Sequence, residues 1–189
     1  MGARVGVLGI QGDIEAHADV LRELGAEPYR VLAASDLFSL DALVLPGGES
    51  TTISKGLDRL ELWDGLRHFV SSGRPVLGTC AGAILLAQHV ENRPVGTLGL
   101  VDIRAQRNAY GTQVDSFAAT ADPGAAEGLE GFRCIFIRAP RLSDPGPSVE
   151  VLVRVDSAPV LVRQGRVLAC AFHPELAGDP RVHSLLFGA

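Results

Sequence analysis

A cysteine set between glycines, Gly78-Thr79-Cys80-Ala81-Gly82, is the pattern in this chain best suited to chemistry. Small residues around a nucleophile permit a sharp strand-to-helix turn that lifts its side chain into open space, here the G-x-C-x-G form of a nucleophile elbow. At a helix start the backbone dipoles also favour thiolate over thiol. The pattern leaves a second reading open, a small buried core cysteine. Cys134 and Cys170 lie in apolar stretches without flanking glycines and read as core.

A nucleophilic thiol needs a base, and the base needs a group to orient it. Of the five histidines, His17, His68, His89 and His183 fall on predicted helices among solvated residues and read as surface. His173 instead ends an apolar strand and precedes Pro174 and Glu175. Residues two apart in extended chain point the same way, so His173 and Glu175 can share a face. Pro174 holds back any following helix. The alternative is a strand-end histidine packed against the core. The third pattern is Leu45-Pro46-Gly47-Gly48-Glu49-Ser50-Thr51-Thr52. Its two glycines let backbone amides turn toward a ligand, as an oxyanion hole requires, and Ser50 or Thr51 can cap the next helix. A plain strand–helix connection would look the same. Gly6, Gly9 and Gly12 lack dinucleotide-binding spacing, and Lys55 has no phosphate-loop context.

The elements that must position these residues alternate at first. Apolar runs at 5–10, 29–32, 42–45 and 75–78 read as strands. Ile14, Ala18, Leu21 and Leu24 mark a helix behind Asp13 as N-cap, with Gly25 as its stop. Leu62, Leu66, Phe69 and Val70 mark another, and 81–90 is apolar almost all round, which predicts a buried helix. The second half reads as strands at 101–107, 113–118, 133–138 and 149–155, a hairpin of 160–163 with 167–172, and a short helix at 180–187. The fold class is α/β: three layers, a mostly parallel central sheet and flanking helices, with the candidate residues at carboxyl ends of strands.

The chain has 189 residues, which predicts one domain, 1–189, without repeat or linker. An apolar fraction of 47% excludes disorder, and no apolar run reaches membrane-spanning length. The first residues lack secretory-signal character. A net charge of −5 and the absence of a basic stripe argue against nucleic acid. Three widely spaced cysteines form neither a disulfide framework nor a zinc pattern, which favours a cytoplasmic location.

GTCAG at 78–82, LPGGESTT at 45–52 and HPE at 173–175 resemble the class I (triad) glutamine amidotransferases. VLGIQGDIEAH at 7–17, RNAYGTQVDSF at 107–117, FIRAP at 136–140 and FHPEL at 172–176 narrow the resemblance to the glutaminase subunits of pyridoxal 5′-phosphate synthase. The resemblance implies a flavodoxin-like sheet, with Cys80 as nucleophile, His173 as base and Glu175 as its orienting carboxylate. It places glutamine against Gly48, Glu49, Ser50, Arg107, Ile137 and Arg138, with amides near Gly48 and at Ala81 as oxyanion hole. It puts Gln11 where the synthase partner couples the two active sites. It implies no metal and no organic cofactor; the partners are L-glutamine and a synthase subunit in a large hetero-oligomer. The charges agree: an α-ammonium suits Glu49 and an α-carboxylate suits Arg107 or Arg138. Thr112 stands where relatives often carry arginine, and the chain ends at Ala189 where relatives continue as helix, so contacts there are expected to differ. Three other functions stay open: a glutaminase subunit of another pathway such as the histidine-pathway cyclase, a cysteine-elbow redox or stress protein, and a binding module without turnover.

Overall fold

The computed structural model describes residues 2–92, 95–107 and 116–188. The chain runs β1 (Arg4–Leu8), α1 (Ile14–Glu23), β2 (Glu27–Val31), β3 (Ala42–Leu45), α2 (Ser50–Arg59), α3 (Trp63–Ser71), β4 (Val76–Thr79) and α4 (Ala81–Leu86). It continues through β5 (Ala87–Glu91), β6 (Val101–Gln106), β7 (Ser116–Thr120), β8 (Arg133–Ile137), β9 (Arg141–Ser143), β10 (Glu150–Val155), β11 (Ala158–Gln164), β12 (Val167–Cys170) and α5 (Arg181–Ser184). Single 3₁₀ turns occupy Ala34–Leu37 and Pro174–Leu176.

The short Val/Leu/Ala runs become strands because both faces of a helix-covered sheet want apolar side chains. β3, β4 and β12 are buried at every residue. The seven-stranded sheet has the order β10-β11-β12-β4-β3-β1-β2. β12, β4, β3, β1 and β2 are mutually parallel, while β11 and β10 fold back antiparallel at one edge. The expected mostly parallel sheet with flanking helices is therefore present. From β1 the chain moves to β2 on one side and then to β3 on the other. Ligands of open α/β sheets bind at such reversals, beyond the carboxyl ends of the strands.

Three expectations are corrected, and a fourth is met over its described part. The apolar stretch 81–90 is not one helix: α4 ends at Leu86, and Ala87–Glu91 is β5, pairing parallel with β6. Apolarity without periodicity does not distinguish a buried helix from a strand. The strands near 101–107 and 133–138 do not join the main sheet. They form two small sheets, β5-β6-β9 and β7-β8, and β6 alternates buried and half-buried residues as a one-faced strand does. Of the strand expected at 113–118, residues 113–115 lie outside the described residues, as does Thr112; β7 begins at Ser116. Finally, His68 and His89 are exposed, but His17 and His183 are fully buried. His17 belongs to the α1 stripe Ile14-His17-Ala18-Leu21, whose helical spacing turns it inward. Among the described residues, no helix is long and apolar enough to cross a membrane.

Candidate active site

Four neighbouring strands, β1, β3, β4 and β12, end along one rim, and each delivers part of a single cleft. At the end of β4, Cys80 takes φ 47°, ψ −101°, a conformation that side-chain-bearing residues rarely adopt. The turn is forced from both sides. A Cβ on Gly82 would lie 2.0 Å from the Leu45 carbonyl oxygen, and one on Gly78 would lie 2.7 Å from Gly82 backbone. The Cys80 N–H donates to the Cys170 carbonyl at 2.7 Å, tying the elbow to β12. Its thiol faces the Ile137 carbonyl oxygen at 3.9 Å.

β12 leads into His173, whose Nδ1 lies 2.7 Å from Oε1 of Glu175. The chain reaches this contact by a 3₁₀ turn at Pro174–Leu176 rather than as the extended segment expected from the sequence. Burial works against a charged imidazole, but hydrogen bonds to Cys80 and Glu175, reinforced by their charges, outweigh it and push His173 up to about 10. The other thiols are of a different kind. Burial raises Cys134 to about 12 and Cys170 well above its ordinary value.

After β3 the chain turns through Gly47 and Gly48, the latter at φ +148°. A Cβ on Gly47 would sit 2.4 Å from the His173 ring, so glycine alone leaves room for the imidazole. Gln11, from the loop after β1, accepts the Glu49 N–H at 2.8 Å. The cap of α2 is Glu49 rather than Ser50 or Thr51. Its two oxygens take the N–H groups of Thr51 and Thr52 at 3.0 and 2.7 Å, and a carboxylate has the reach to satisfy both. Slight burial raises its pKa, but these hydrogen bonds dominate and hold Glu49 at about 2. Arg107 lies against Glu49 at 3.2 Å and the Thr51 hydroxyl at 3.0 Å.

Gln11, Gly48, Glu49, Ser50, Cys80, Arg107, Ile137, Arg138 and His173 thus line one cleft of about 300 Å³. Glu175 stands behind His173, and Ala81 begins α4 directly after the nucleophile; both are buried. Arg138 is exposed in the cleft and has no salt bridge among the described residues. Sequence reasoning missed Ile84 and Asp13 as lining residues. Asp13 stands at the α1 N-cap position without a side-chain cap bond. Its carboxylate and the groups of His173 and Glu175 lie within 4.8 Å of one another, the only such cluster among the described residues that could hold a metal ion. Nδ1 of His173 and Oε1 of Glu175 are already committed to each other, so a cation there would compete with that bond. Behind the cleft, His17 faces Glu175, and His183 and Thr79 adjoin His17; all three were also missed.

The family model described as the SNO glutamine amidotransferase family matches residues 7–188. A relative named as a pyridoxal 5′-phosphate synthase subunit PdxT from Frankia alni is 51% identical, covering 97% of this chain and 93% of its own length. Another of the same name from Kosmotoga olearia is 49% identical, covering 95% and 94%. A crystal structure of a glutamine amidotransferase superposes with a TM-score of 0.90 at 45% identity, over 97% of this chain and 96% of that one. A Thermotoga maritima structure named PurLQS, at 18% identity, TM-score 0.72 and coverage of 99% and 98%, shares the fold.

Proposed function

Because the chain belongs to the SNO glutamine amidotransferase family, we propose that it is the glutaminase subunit of a pyridoxal 5′-phosphate synthase, working through Cys80, His173 and Glu175. The observation that carries the reaction is the strained elbow at Cys80 beside a 2.7 Å His173–Glu175 bond in one cleft. The Cys80 sulfur attacks the side-chain amide carbon of glutamine, and the carbonyl oxygen becomes an oxyanion facing amides at Gly48 and Ala81. His173 gives its proton to the departing nitrogen, ammonia leaves, and a glutamyl thioester remains. His173, now neutral, takes a proton from water as the water attacks the thioester. Collapse releases glutamate and expels the Cys80 sulfur as an anion beside the protonated His173, which is the state the cycle began from.

Glu175 keeps His173 in the Nε2-reactive orientation through Nδ1. Glu49, held ionised and braced by Arg107, offers negative charge to the α-ammonium. Arg138 supplies the cation for the α-carboxylate. Ser50 and Ile137 contribute wall and backbone acceptors. The whole chain acts as one glutaminase domain that passes ammonia to a synthase subunit within a hetero-oligomer. The three free thiols suit a cytoplasmic setting. A redox role for the elbow would leave the His173–Glu175 pair and the charged Glu49–Arg107 wall without a task.

The test is glutamate release from glutamine with the cognate synthase subunit present, comparing wild type with Cys80→Ala. Activity confined to wild type is expected. A wild type that stays inactive in the complex overturns the reading.

A further inference from the structure

Glu175 has two oxygens, and only one is explained by the triad. Oε1 accepts from His173. Oε2 is buried and, among the described residues, makes no hydrogen bond. A buried carboxylate oxygen without a donor is costly. The group facing it is Nε2 of His17 on α1, 3.5 Å away, and both side chains are wholly shielded from solvent. The other nitrogen of His17, Nδ1, lies 2.8 Å from Nε2 of His183 on α5.

Two ring nitrogens at that distance share one proton, so the two tautomeric arrangements can be compared. If His17 carried its proton on Nδ1, the bare lone pair of Nε2 would face the Glu175 carboxylate. His183 would then carry an N–H on Nδ1, which is buried and has no partner among the described residues. In the opposite arrangement His183 donates from Nε2 to Nδ1 of His17, and His17 presents Nε2–H to Glu175. Thr79 Oγ1, 3.3 Å from the same nitrogen, accepts alongside. Every N–H is then directed at an acceptor, and the one orphan is a lone pair.

We infer that His17 is a positioning residue for this glutaminase, held by His183 in the Nε2–H tautomer and fixing the Glu175 carboxylate through Oε2. The inference rests on the triad reading above and extends it. With Oε2 held, the carboxylate cannot swing about its terminal bond, and Oε1 stays in line with Nδ1 of His173. Burial keeps His17 well below its ordinary pKa and His183 at about 4, so both remain neutral. A neutral donor braces Glu175 without cancelling the charge that stabilises the His173 imidazolium. Catalytic hydrogen bonds are often long before substrate binds and tighten with it, which accommodates the 3.5 Å separation.

The deciding measurement is ¹⁵N NMR of histidine-labelled protein, with His17 and His183 assigned by loss of signal in His17→Gln and His183→Gln. Protonated Nε2 and bare Nδ1 are expected on His17, unchanged across about pH 6 to 8. A His17 protonated on Nδ1, or titrating to the cation in that range, overturns the inference. Kinetics in the complex give the second readout. His17→Leu is expected to lower kcat by roughly 10- to 100-fold with KM nearly unchanged, and His17→Gln, which keeps an N–H near that place, to recover most of it. Unaltered kcat in His17→Leu, or equal loss in both variants, sinks the proposal. If His17→Leu does not fold, the spectrum of wild type still decides. An active wild type that depends on Cys80 but shows the Nδ1–H tautomer removes only the His17 role; an inactive wild type removes the triad reading whatever the spectrum shows.

Discussion

The three thiols of this chain share a residue type and differ in everything that governs reactivity. Cys134 and Cys170 are fully buried in strands, and burial lifts the first to about 12 and the second well above the ordinary range. Cys80 lines the cleft beside an imidazole that favours its proton. Iodoacetamide near neutral pH is therefore expected to label about one site per native chain, at Cys80, with loss of glutaminase activity and protection by glutamine. Peptide mapping that finds Cys134 or Cys170 labelled at a comparable rate would contradict this. The same cleft divides charge between two arginines. Arg107 is braced against Glu49, whereas Arg138 stands in the cleft without a salt bridge among the described residues. Losing a charged hydrogen bond costs about 1.5–3 kcal/mol. Arg138→Ala should accordingly raise KM for glutamine by about tenfold or more and change kcat less; an unchanged KM would show that Arg138 does not hold the α-carboxylate.

At the scale of elements, the site depends on how closely α4 approaches β3. The Gly82 Cα faces the Leu45 carbonyl so tightly that an added Cβ would lie 2.0 Å from the oxygen. Backbone cannot rotate away as a side chain does, so Gly82→Ala must push α4 off the sheet. A loss of about 1–3 kcal/mol in urea unfolding is expected, together with loss of activity as the elbow shifts. Gly73→Ala, strained at φ +78° but with nothing within 4 Å of the added carbon, serves as the comparison and should cost less and spare activity. The packing of α1 against α5 carries a pH signature. Burial lowers His183 from 6.5 to about 4 and also holds His17 well below its ordinary value, so the unfolded chain binds protons there that the folded chain refuses. Their favourable neutral burial is complete above pH 6.5 and is lost as pH falls from 6.5 toward 4. Wild type should lose more stability across that window than a His17→Leu, His183→Phe double variant, measured as the shift in denaturant midpoint. Equal losses would mean that these histidines do not titrate as buried groups.

For the whole molecule, the parts legible in the sequence were those in which local pattern and tertiary role coincide. Continuous apolar runs gave the parallel strands because both faces of that sheet are covered, and the glycines around Cys80 marked a turn that only glycine admits. What escaped depends on distant partners. The stripe Ile14-His17-Ala18-Leu21 already had buried spacing, but His17 reads as core only once His183, 166 residues away, is seen to meet it. Glu49 as helix cap was obscured by the serine and threonines behind it, and the end of α4 at Leu86 by uniform apolarity. The least local part of the proposed function is the link between this cleft and a synthase partner. Gln11, Gly48 and Glu49 are all exposed at the rim, and the Gln11 side chain grips the Glu49 N–H at 2.8 Å beside a glycine at φ +148°. A surface docking on this rim would act on the loops after β1 and β3 together, and would shift the population in which the Gly48 amide faces substrate. Adding the synthase subunit is therefore expected to raise kcat for glutamine by about tenfold or more. Gln11→Ala should lose most of that gain while its thermal midpoint stays within a few degrees of wild type, since one exposed hydrogen bond is worth about 1 kcal/mol. A free subunit as active as the complex, or a Gln11→Ala variant stimulated as strongly as wild type, would show that the rim does not transmit the partner's presence to the nucleophile.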